Sequence, residues 1–382
     1  MRGQLIQRGE KTWLLRVYLG EVNGKRQYKA KTVHGLTKKQ AEAELRNWVR
    51  EIEAGGYVEP SKVLVGELLD RWLRDWAEQR VSKTTLLRYR WAADKHIKPA
   101  LGYLPLSKVN TLTINDFYAE LREQGKAPAT LRIVHAVLNQ AMAAAVRWKL
   151  ITSNPAAGAD LPRVQRRQVQ ALTPDQAARL LEAAEGTDLY IPVLLGLTTG
   201  MRVGEICALR WDDLDFTTGT ISIRHTQAVD ENRRVYLKVV KTKSSARRVD
   251  LSPEVVRALR EHKARQNELR LQAGPNWQDH GLVFCRADGS PEDRSNVNKR
   301  LKTLMRRAGL PVLSSHKAWR HTAASVMLAE GVHPKVVQER LGHSSISMTL
   351  DLYSHLAPGM QKAAAEKVEA ALFARRKPGS VR

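Results

Sequence analysis

Residues 316–355, HKAWRHTAASVMLAEGVHPKVVQERLGHSSISMTLDLYSH, contain the residues that decide what this chain folds into and what chemistry it carries. The one tyrosine of this stretch, Tyr353, follows His343 by ten residues and Arg320 by thirty-three. A tyrosine hydroxyl can attack phosphorus and hold it covalently. An arginine binds two phosphate oxygens with its planar guanidinium group, and a histidine can donate a hydrogen bond to the same phosphate. The set predicts a site that breaks and rejoins a DNA strand without using water.

The charge of the chain supports a polyanionic partner. Its 382 residues include 63 Lys and Arg against 39 Asp and Glu, a net charge of +24. Such an excess favours nucleic acid, although a soluble protein with a solvated charge excess is the alternative. A membrane surface is less favoured, because the basic residues do not concentrate on one amphipathic helix. No apolar run approaches the roughly 20 residues that span a bilayer.

The cysteines and the N-terminus predict a reducing cytoplasm. Cys207 and Cys285 are far apart and fit neither a zinc pattern nor a disulfide framework. Residues 1–4 lack the apolar run of a secretory signal. The length is sufficient for two or three domains of about 100–200 residues each.

Residues 1–60 predict a small β-then-α domain. Its expected elements are a strand over 13–19, a hairpin turn at Asn23-Gly24, a strand over 27–33, and a helix that begins with a Thr37–Gln40 capping box, runs to about Glu53 and is ended by Gly55-Gly56. Residues 1–40 carry ten Lys and Arg but only two acids. This basic ribbon is suited to a DNA groove, and a solubilising sheet edge is the alternative.

Residues 61–160 predict an all-helical domain, with helices around 83–97, 113–124 and 128–149. One helical stripe is more typical of a core than of a base-stacking platform: Leu68, Leu69, Trp72, Leu73 and Trp76. The candidates for phosphate contact are Lys83, Arg88, Arg90, Lys95 and Lys98. Residues 161–170 predict an exposed basic linker.

Residues 171–382 predict the largest domain, mainly helical with a small antiparallel sheet. Thr173-Pro174 is a helix start, and strands are expected over 219–226, 235–240 and 246–251. The predicted fold class is therefore multidomain α+β.

Two further motifs in this domain carry cations. Arg202 stands at a glycine-flanked helix start, where guanidinium and backbone N–H groups can meet a phosphate, and Glu205 is placed to hold it. The alternative is a surface ion pair. Lys241, between two predicted strands, can enter a DNA groove or protonate a leaving oxygen, and the alternative is a solvated turn.

Metal binding is the less favoured interpretation of the C-terminal histidines. Five of the eleven histidines fall between His316 and His355. They show no HExxH spacing and no accompanying carboxylate cluster, so no metal is expected.

The chain resembles the tyrosine recombinase (phage integrase) family. The motifs that carry the resemblance follow one another along the chain: TGMRVGEI at 199–206 with LRW at 209–211, KTKSS at 241–245, RHT at 320–322, LGHS at 341–344 and YSH at 353–355. In addition, residues 61–160 resemble the family's helical SAM-like core-binding domain, and residues 1–60 resemble its arm-binding domain.

The resemblance implies a mechanism that needs no metal and no nucleotide cofactor. Tyr353 would form a 3′-phosphotyrosyl bond, Arg202 and Arg320 would stabilise the charge of the transition state, His343 would add a hydrogen bond, and Lys241 would protonate the 5′ leaving oxygen. The implied partners are double-stranded DNA at core and arm sites, a homotetramer on that DNA, a DNA-bending host factor and a directionality factor.

One position departs from the family pattern. A histidine usually stands three residues before the arginine of the second arginine motif; here Lys317 holds that place and His316 precedes it. One residue rotates a helical side chain by about 100°, so the spacing favours Lys317, whereas a non-helical segment would favour His316. A lysine can accept a proton only if neighbouring cations depress its pKa. The base that activates Tyr353 is thus left open.

Three alternatives accompany this interpretation. A helix over 360–375 is expected to pack on a neighbouring protomer or, alternatively, on its own domain. The function itself has two rivals: a type IB topoisomerase-like enzyme that does not exchange partners, and a DNA-binding regulator that has lost catalysis.

Overall fold

The computed structural model divides the chain into two units, Met1–Gln165 and Arg166–Arg382. The residues that it describes are 3–22, 25–53, 61–162, 170–230, 232, 234–240, 246–353, 365–366, 368–369 and 372–373; for residues 20–22, 25, 51 and 351–353 the description is limited to the backbone. The predicted linker has residues 163–169 outside this set, and most of the predicted helix over 360–375 also lies outside it.

The N-terminal domain is a three-stranded antiparallel sheet packed on one helix. Its elements are β1 (Gly3–Gly9), β2 (Thr12–Val22), β3 (Lys25–His34) and α1 (Lys38–Glu53), with strand order β1-β2-β3. Alternate residues of β2 point to opposite faces of the sheet, so that Leu15 and Val17 are buried together with Trp48 of α1. Strand β1 was missed in the sequence, because its two glycines and two glutamines weaken the strand pattern.

The predicted start of α1 is confirmed by its hydrogen bonds. The Thr37 backbone N–H donates to Gln40 Oε1 at 2.9 Å, and the Gln40 N–H donates to Thr37 Oγ1 at 3.4 Å. This reciprocal pair satisfies two N–H groups that have no partner within the helix. The turn Asn23-Gly24 and the glycines at 55 and 56 lie outside the described residues.

The second domain is all-helical, as predicted. Its helices are α2 (Val65–Trp72), α3 (Glu78–Arg80), α4 (Lys83–Ala92), α5 (Lys98–Leu101), α6 (Thr111–Glu123) and α7 (Pro128–Arg147), with π-helical turns at Leu73–Ala77 and Ala93–Ile97. The predicted apolar stripe forms its core: Trp72 is fully buried and stacks on Trp76 and Tyr89, with ring centroids 5.6 and 5.4 Å away. Helix α7 is long and apolar enough to cross a membrane, but most of its apolar side chains belong to this core.

One predicted phosphate contact of this domain is already engaged. The Lys98 ammonium lies 2.6 Å from Asp70 and 2.7 Å from Asp94. Lys98 therefore joins α5 to α2, and its charge is balanced within the domain.

The third domain surrounds a large apolar core with helices. The helices are α8 (Pro174–Ala184), α9 (Tyr190–Thr199), α10 (Val203–Ile206), α11 (Pro253–Ala273), α12 (Arg294–Arg307), α13 (Thr322–Ala329), α14 (Pro334–Leu341) and α15 (Ile346–Tyr353). The strands are β4 (Leu214–Asp215), β5 (Thr220–Ile223), β6 (His225–Val229), β7 (Val235–Val239) and β8 (Arg247–Asp250), in antiparallel sheets β4-β5-β8 and β6-β7. The capping box of α8 at Thr173 is present, which confirms that start.

A glycine–tryptophan contact seats the π-helical turn His316–His321 on α9. Trp319 is fully buried in the core, and a Cβ added at Gly196 would lie 2.4 Å from its ring. Because Arg320 follows Trp319 directly, this contact also fixes where the arginine enters the domain.

We expect Gly196→Ala to lower the free energy of unfolding by about 1–3 kcal/mol, because the added methyl group overpacks a closed core. This loss exceeds the roughly 0.5–1 kcal/mol that alanine gains over glycine inside a helix. Urea denaturation measures the difference. Gly158→Ala is the control, because its new methyl group would come no closer than 3.8 Å to Thr111; equal stabilities of the two variants would contradict the expectation.

Candidate active site

Arg202 is presented by a sharp turn between two helices. Helix α9 ends at Gly200 in the left-handed conformation, with φ +67°, and a Cβ there would lie 2.3 Å from Leu341. Both the backbone conformation and the close approach therefore require glycine. The chain then becomes extended at Arg202, which is the N-cap of the short helix α10.

Glu205 holds Arg202 from one turn further along. The Arg202 Nη1 group donates to Glu205 Oε1 at 2.8 Å, and the Arg202 backbone N–H donates to Glu205 Oε2 at 2.9 Å. The Glu205 side chain is 2% exposed and that of Arg202 is 38% exposed. This is therefore a buried carboxylate that orients an accessible guanidinium group, and the alternative of a surface ion pair is wrong.

The charge of Glu205 is maintained by two arginines. Burial by itself would raise the pKa of this carboxyl, but the nearby guanidinium groups of Arg247 and Arg202 outweigh burial and bring the pKa below its usual value. Glu205 is therefore ionised at neutral pH, and it can accept hydrogen bonds with both oxygens.

Arg320 ties together the two segments that carry the other site residues. Its Nη1 donates to the Gly200 carbonyl at 2.8 Å and its Nη2 donates to the Leu341 carbonyl at 2.7 Å. Gly200 lies two residues before Arg202, and Leu341 lies two residues before His343. Arg320 is 1% exposed, and this burial, together with the positive charge of Arg202, lowers its pKa to about 9.

His343 follows the end of α14. Helix α14 ends at Gly342, again left-handed with φ +67°, which turns the chain back toward the arginines. The His343 Nδ1 atom lies 2.9 Å from the hydroxyl of the buried Thr349. Partial burial, followed by the charges of Arg320 and Arg202, lowers the pKa of His343 to about 3. The ring is neutral at pH 7, and the Thr349 contact leaves Nε2 as the nitrogen for a ligand.

Thr349 is a site residue that sequence analysis missed. It is fully buried on α15, where it orients the imidazole ring of His343. In the sequence, Thr349 is marked only by a hydroxyl group a few residues after His343, and the serines of the same segment carry one too.

The second arginine motif forms a π-helical turn. Hydrogen bonds between residues five apart make such a turn wider than an α-helical one. The residue four places before Arg320 is His316, and partial burial, the His321 ring and the charges of Arg320 and Arg202 lower its pKa to about 4. His316 therefore lies in the field of both arginines and is neutral at pH 7.

Lys317 is directed elsewhere. Its ammonium group donates to Gln170 Oε1 at 2.9 Å. The prediction placed Lys317 with Arg320 by spacing, but positions four apart on a helix also share a face, so His316 fits the side of Arg320 as well. Which of the two fills the histidine role of the second arginine motif stays a prediction.

For the remaining two predicted residues, Tyr353 and Lys241, the structure describes the neighbouring elements but not the side chains. Tyr353 is the last residue of α15, and its side chain lies outside the described part of the structure. Lys241 and the rest of 241–245 also lie outside the described residues, between the end of β7 and the start of β8. Their positions in the site stay predictions.

The part of the chain that the structure describes contains no group of three His, Cys, Asp or Glu side chains placed to hold a metal ion. Cys207 is buried, and burial raises its pKa to about 12, so this thiol stays protonated at neutral pH.

Comparisons with known proteins identify the family. Residues 170–360 match the phage integrase family, and residues 64–122 match the phage integrase N-terminal SAM-like domain. A protein named "Tyrosine recombinase XerC-like" from Caldanaerobacter subterraneus subsp. tengcongensis is 30% identical over 380 residues, covering 94% of this chain and 96% of that relative. This chain is a tyrosine recombinase of the phage integrase family. It is an enzyme of site-specific DNA recombination.

Solved structures of other recombinases share its fold. The Tn1549 transposon integrase in complex with transposon right end DNA aligns with a TM-score of 0.69 and 23% identity, covering 81% of this recombinase and 99% of that chain. A lambda integrase tetramer bound to a Holliday junction aligns with a TM-score of 0.56 and 20% identity, covering 84% of this chain and 89% of that one. The mainly helical catalytic domain with small antiparallel sheets is thus confirmed.

We expect Arg202→Gln to raise the pKa of both His316 and His343, because the variant removes one positive charge that disfavours their protonation. NMR titration of the imidazole resonances measures both values. Arg210→Gln, an exposed charge change in the same domain, should leave them in place; equal shifts in the two variants would contradict the assignment.

The same pKa values set the sign of a pH effect on stability. Both histidines bind protons in the unfolded chain near pH 6.5, but in the folded chain only near pH 4 and pH 3. The unfolded state therefore binds more protons below pH 6.5, and the free energy of unfolding falls as the pH drops from about 6.5 toward 4. His343→Gln should flatten this fall in urea denaturation series; an unchanged slope would contradict it.

Proposed function

We propose that this recombinase cleaves and rejoins DNA through a 3′-phosphotyrosyl intermediate with Tyr353 as the nucleophile, and that it thereby integrates a mobile element and, with helper factors, excises it. The observation that supports the proposal most strongly is the pair of hydrogen bonds from Arg320 to Gly200 and Leu341, which brings the Arg202 turn and the His343 turn together. The name of the Tn1549 transposon integrase supports the mobile-element assignment.

The proposed step is a transesterification. The Tyr353 oxygen forms a bond to the scissile phosphorus while the bond from phosphorus to the 5′ oxygen breaks. The tyrosine proton passes to a base, and Lys241 gives a proton to the 5′ oxygen, which leaves as a hydroxyl. The phosphodiester energy is kept in the phosphotyrosine, and the 5′ hydroxyl of another strand reverses the step to rejoin the DNA. The proposal needs no metal and no nucleotide.

The fixed cations supply the electrostatic stabilisation. Arg202 is the accessible guanidinium group and is placed to bind the non-bridging oxygens, while the charge of Arg320 lies beneath it. The Gly200 and Leu341 carbonyls use two of the five N–H donors of Arg320. His343 donates from Nε2. Preorganised charge of this kind is usually the largest catalytic contribution.

We assign the second-motif histidine role to His316. Its imidazole ring is neutral at pH 7 because its pKa is lowered to about 4, so it can accept a hydrogen bond from the tyrosine hydroxyl. Lys317, which is hydrogen-bonded to Gln170, is not used in this scheme.

Replacement of the nucleophile tests the scheme. We expect Tyr353→Phe to abolish the covalent protein–DNA adduct on a nicked suicide substrate while leaving duplex binding intact, because only the phenolic oxygen is lost. Denaturing gel electrophoresis detects the adduct and mass spectrometry of the modified peptide locates it. Tyr190→Phe removes a phenolic oxygen from α9 and should keep the adduct. Adducts that survive Tyr353→Phe would show that another residue is the nucleophile.

The same substrate distinguishes the rival functions. A type IB topoisomerase-like enzyme would form the adduct and relax supercoils without joining two different sites. A regulator that has lost catalysis would bind DNA without forming any adduct. Recombination between two marked duplexes favours the proposed function over both.

We propose that the N-terminal sheet binds arm-type DNA with the face opposite α1. Arg16 and Tyr28 lie on that face, with the guanidinium carbon 3.8 Å from the ring centroid, and Tyr18 stands 5.3 Å from Tyr28 between centroids. Their strand neighbours Leu15 and Val17 point the other way, into the core. This outer face offers a guanidinium group and aromatic rings to a DNA groove, which supports the proposal.

We expect Arg16→Ala to weaken binding of the full chain to random-sequence duplex DNA and to reduce the salt dependence of that binding by about one unit of slope, as for one lost phosphate contact. Fluorescence anisotropy at several salt concentrations measures both. Arg46→Ala removes an exposed charge from α1 and should change neither; an equal effect would place the DNA elsewhere.

The proposed oligomeric state follows from the proposed recombination reaction. Recombination joins two duplexes through four cleavages, which requires four protomers, and the lambda integrase tetramer on a Holliday junction supports that number. We propose a homotetramer on core and arm sites in the bacterial cytoplasm, assisted by a DNA-bending host factor and a directionality factor. The segment 357–382 is the candidate for contact with a neighbouring protomer, and its deletion should abolish synapsis if that contact is made.

A further inference from the structure

Arg247 is a buried arginine outside the catalytic set. It is the first residue of β8, and its side chain is 6% exposed. Its Nη2 donates to Glu205 Oε2 at 2.9 Å and its Nη1 to Glu205 Oε1 at 3.3 Å, while its Nε donates to the Arg340 carbonyl at 2.7 Å. Burial of such a group is costly unless its donors are satisfied, so these three contacts define one position for the guanidinium group.

The three contacts join the elements that carry the catalytic residues. Glu205 is the carboxylate that orients Arg202. Arg340 lies in the last turn of α14, just before Gly342 turns the chain toward His343. Arg247 itself lies on β8, so its contacts join this strand to the Arg202–Glu205 pair and to α14.

We propose that Arg247 is a positioning residue for strand cleavage: it holds the Arg202–Glu205 pair and the end of α14 in one arrangement. The inference rests on the proposed function. Arg247 touches none of the reacting atoms in this scheme, and it acts through Glu205 and the α14 backbone.

Arg247 also sets the charge of the site. Glu205 Oε1 accepts from both Arg202 and Arg247, and Oε2 accepts from Arg247 and from the Arg202 backbone. With Arg247 present, one carboxylate faces two guanidinium groups, and positive charge remains on Arg202 for a phosphate. Without Arg247, the negative charge of Glu205 is directed at Arg202 alone, which weakens its attraction for the phosphate.

Arg248 is the matched control. It is the next residue of β8 and carries the same charge, but its side chain is 58% exposed. Its guanidinium group contacts Thr220 and Thr218, on the surface of the sheet. A change at Arg248 therefore removes one positive charge from the same strand without touching Glu205 or α14.

The experiment compares the full-length wild type with Arg247→Met, Arg247→Lys and Arg248→Met on a nicked suicide duplex. At saturating DNA we expect the single-turnover rate of adduct formation to fall about a hundredfold in Arg247→Met, the loss that a displacement near 1 Å can cause. Duplex affinity should stay close to that of Arg248→Met, which should cleave at the wild-type rate. Arg247→Lys keeps the positive charge but lacks the planar guanidinium group with its several N–H donors. It should retain an intermediate cleavage rate and a wild-type melting temperature.

A double variant tests whether slow cleavage by Arg247→Met comes from the altered position and charge of the site or from loss of folding. Glu205→Gln in the Arg247→Met background removes the unbalanced carboxylate, and we expect it to raise the cleavage rate above that of Arg247→Met alone. If Arg247→Met and Arg248→Met form adducts at equal rates, the inference about Arg247 is overturned and the proposed function still stands. If Arg247→Met does not fold, a wild-type rate in folded Arg247→Lys overturns it. Absence of any adduct in the wild type would overturn the proposed function and this inference together.

Discussion

The buried guanidinium group of Arg320 is the interaction on which the catalytic domain depends. Its two hydrogen bonds span the Gly200 turn and the end of α14, which are 141 residues apart in the chain. Burial of a charge without partners would cost several kcal/mol, and the two carbonyls supply partners for Nη1 and Nη2. Trp319 and Gly196 hold the backbone from which Arg320 extends.

The described residues around Arg320 carry more positive charge than negative charge. Arg202 and Arg247 share the carboxylate of Glu205, and the pKa of Arg320 is lowered by its burial and by the charge of Arg202. The same field keeps the rings of His316 and His343 neutral, so these histidines act as hydrogen-bonding groups.

Sequence patterns predicted helices and core positions correctly where the physical cause lies within a few residues of the chain. The Thr37–Gln40 and Thr173–Gln176 capping boxes begin helices because side-chain oxygens satisfy free N–H groups nearby in sequence. The stripe around Trp72 is core because its spacing matches the helical period. Strand β1 was missed because it is held by pairing with β2, and its own residues are weak strand formers.

By itself the sequence determined the family, the order of the catalytic motifs and the basic character of the chain, since these depend on residue type and spacing. Only the tertiary structure decided that Glu205 is a buried orienting group, that Thr349 holds His343, that Arg247 joins three elements, and that Lys317 is hydrogen-bonded to Gln170. Each of these depends on which side chains meet in the folded domain, and no local sequence pattern encodes that.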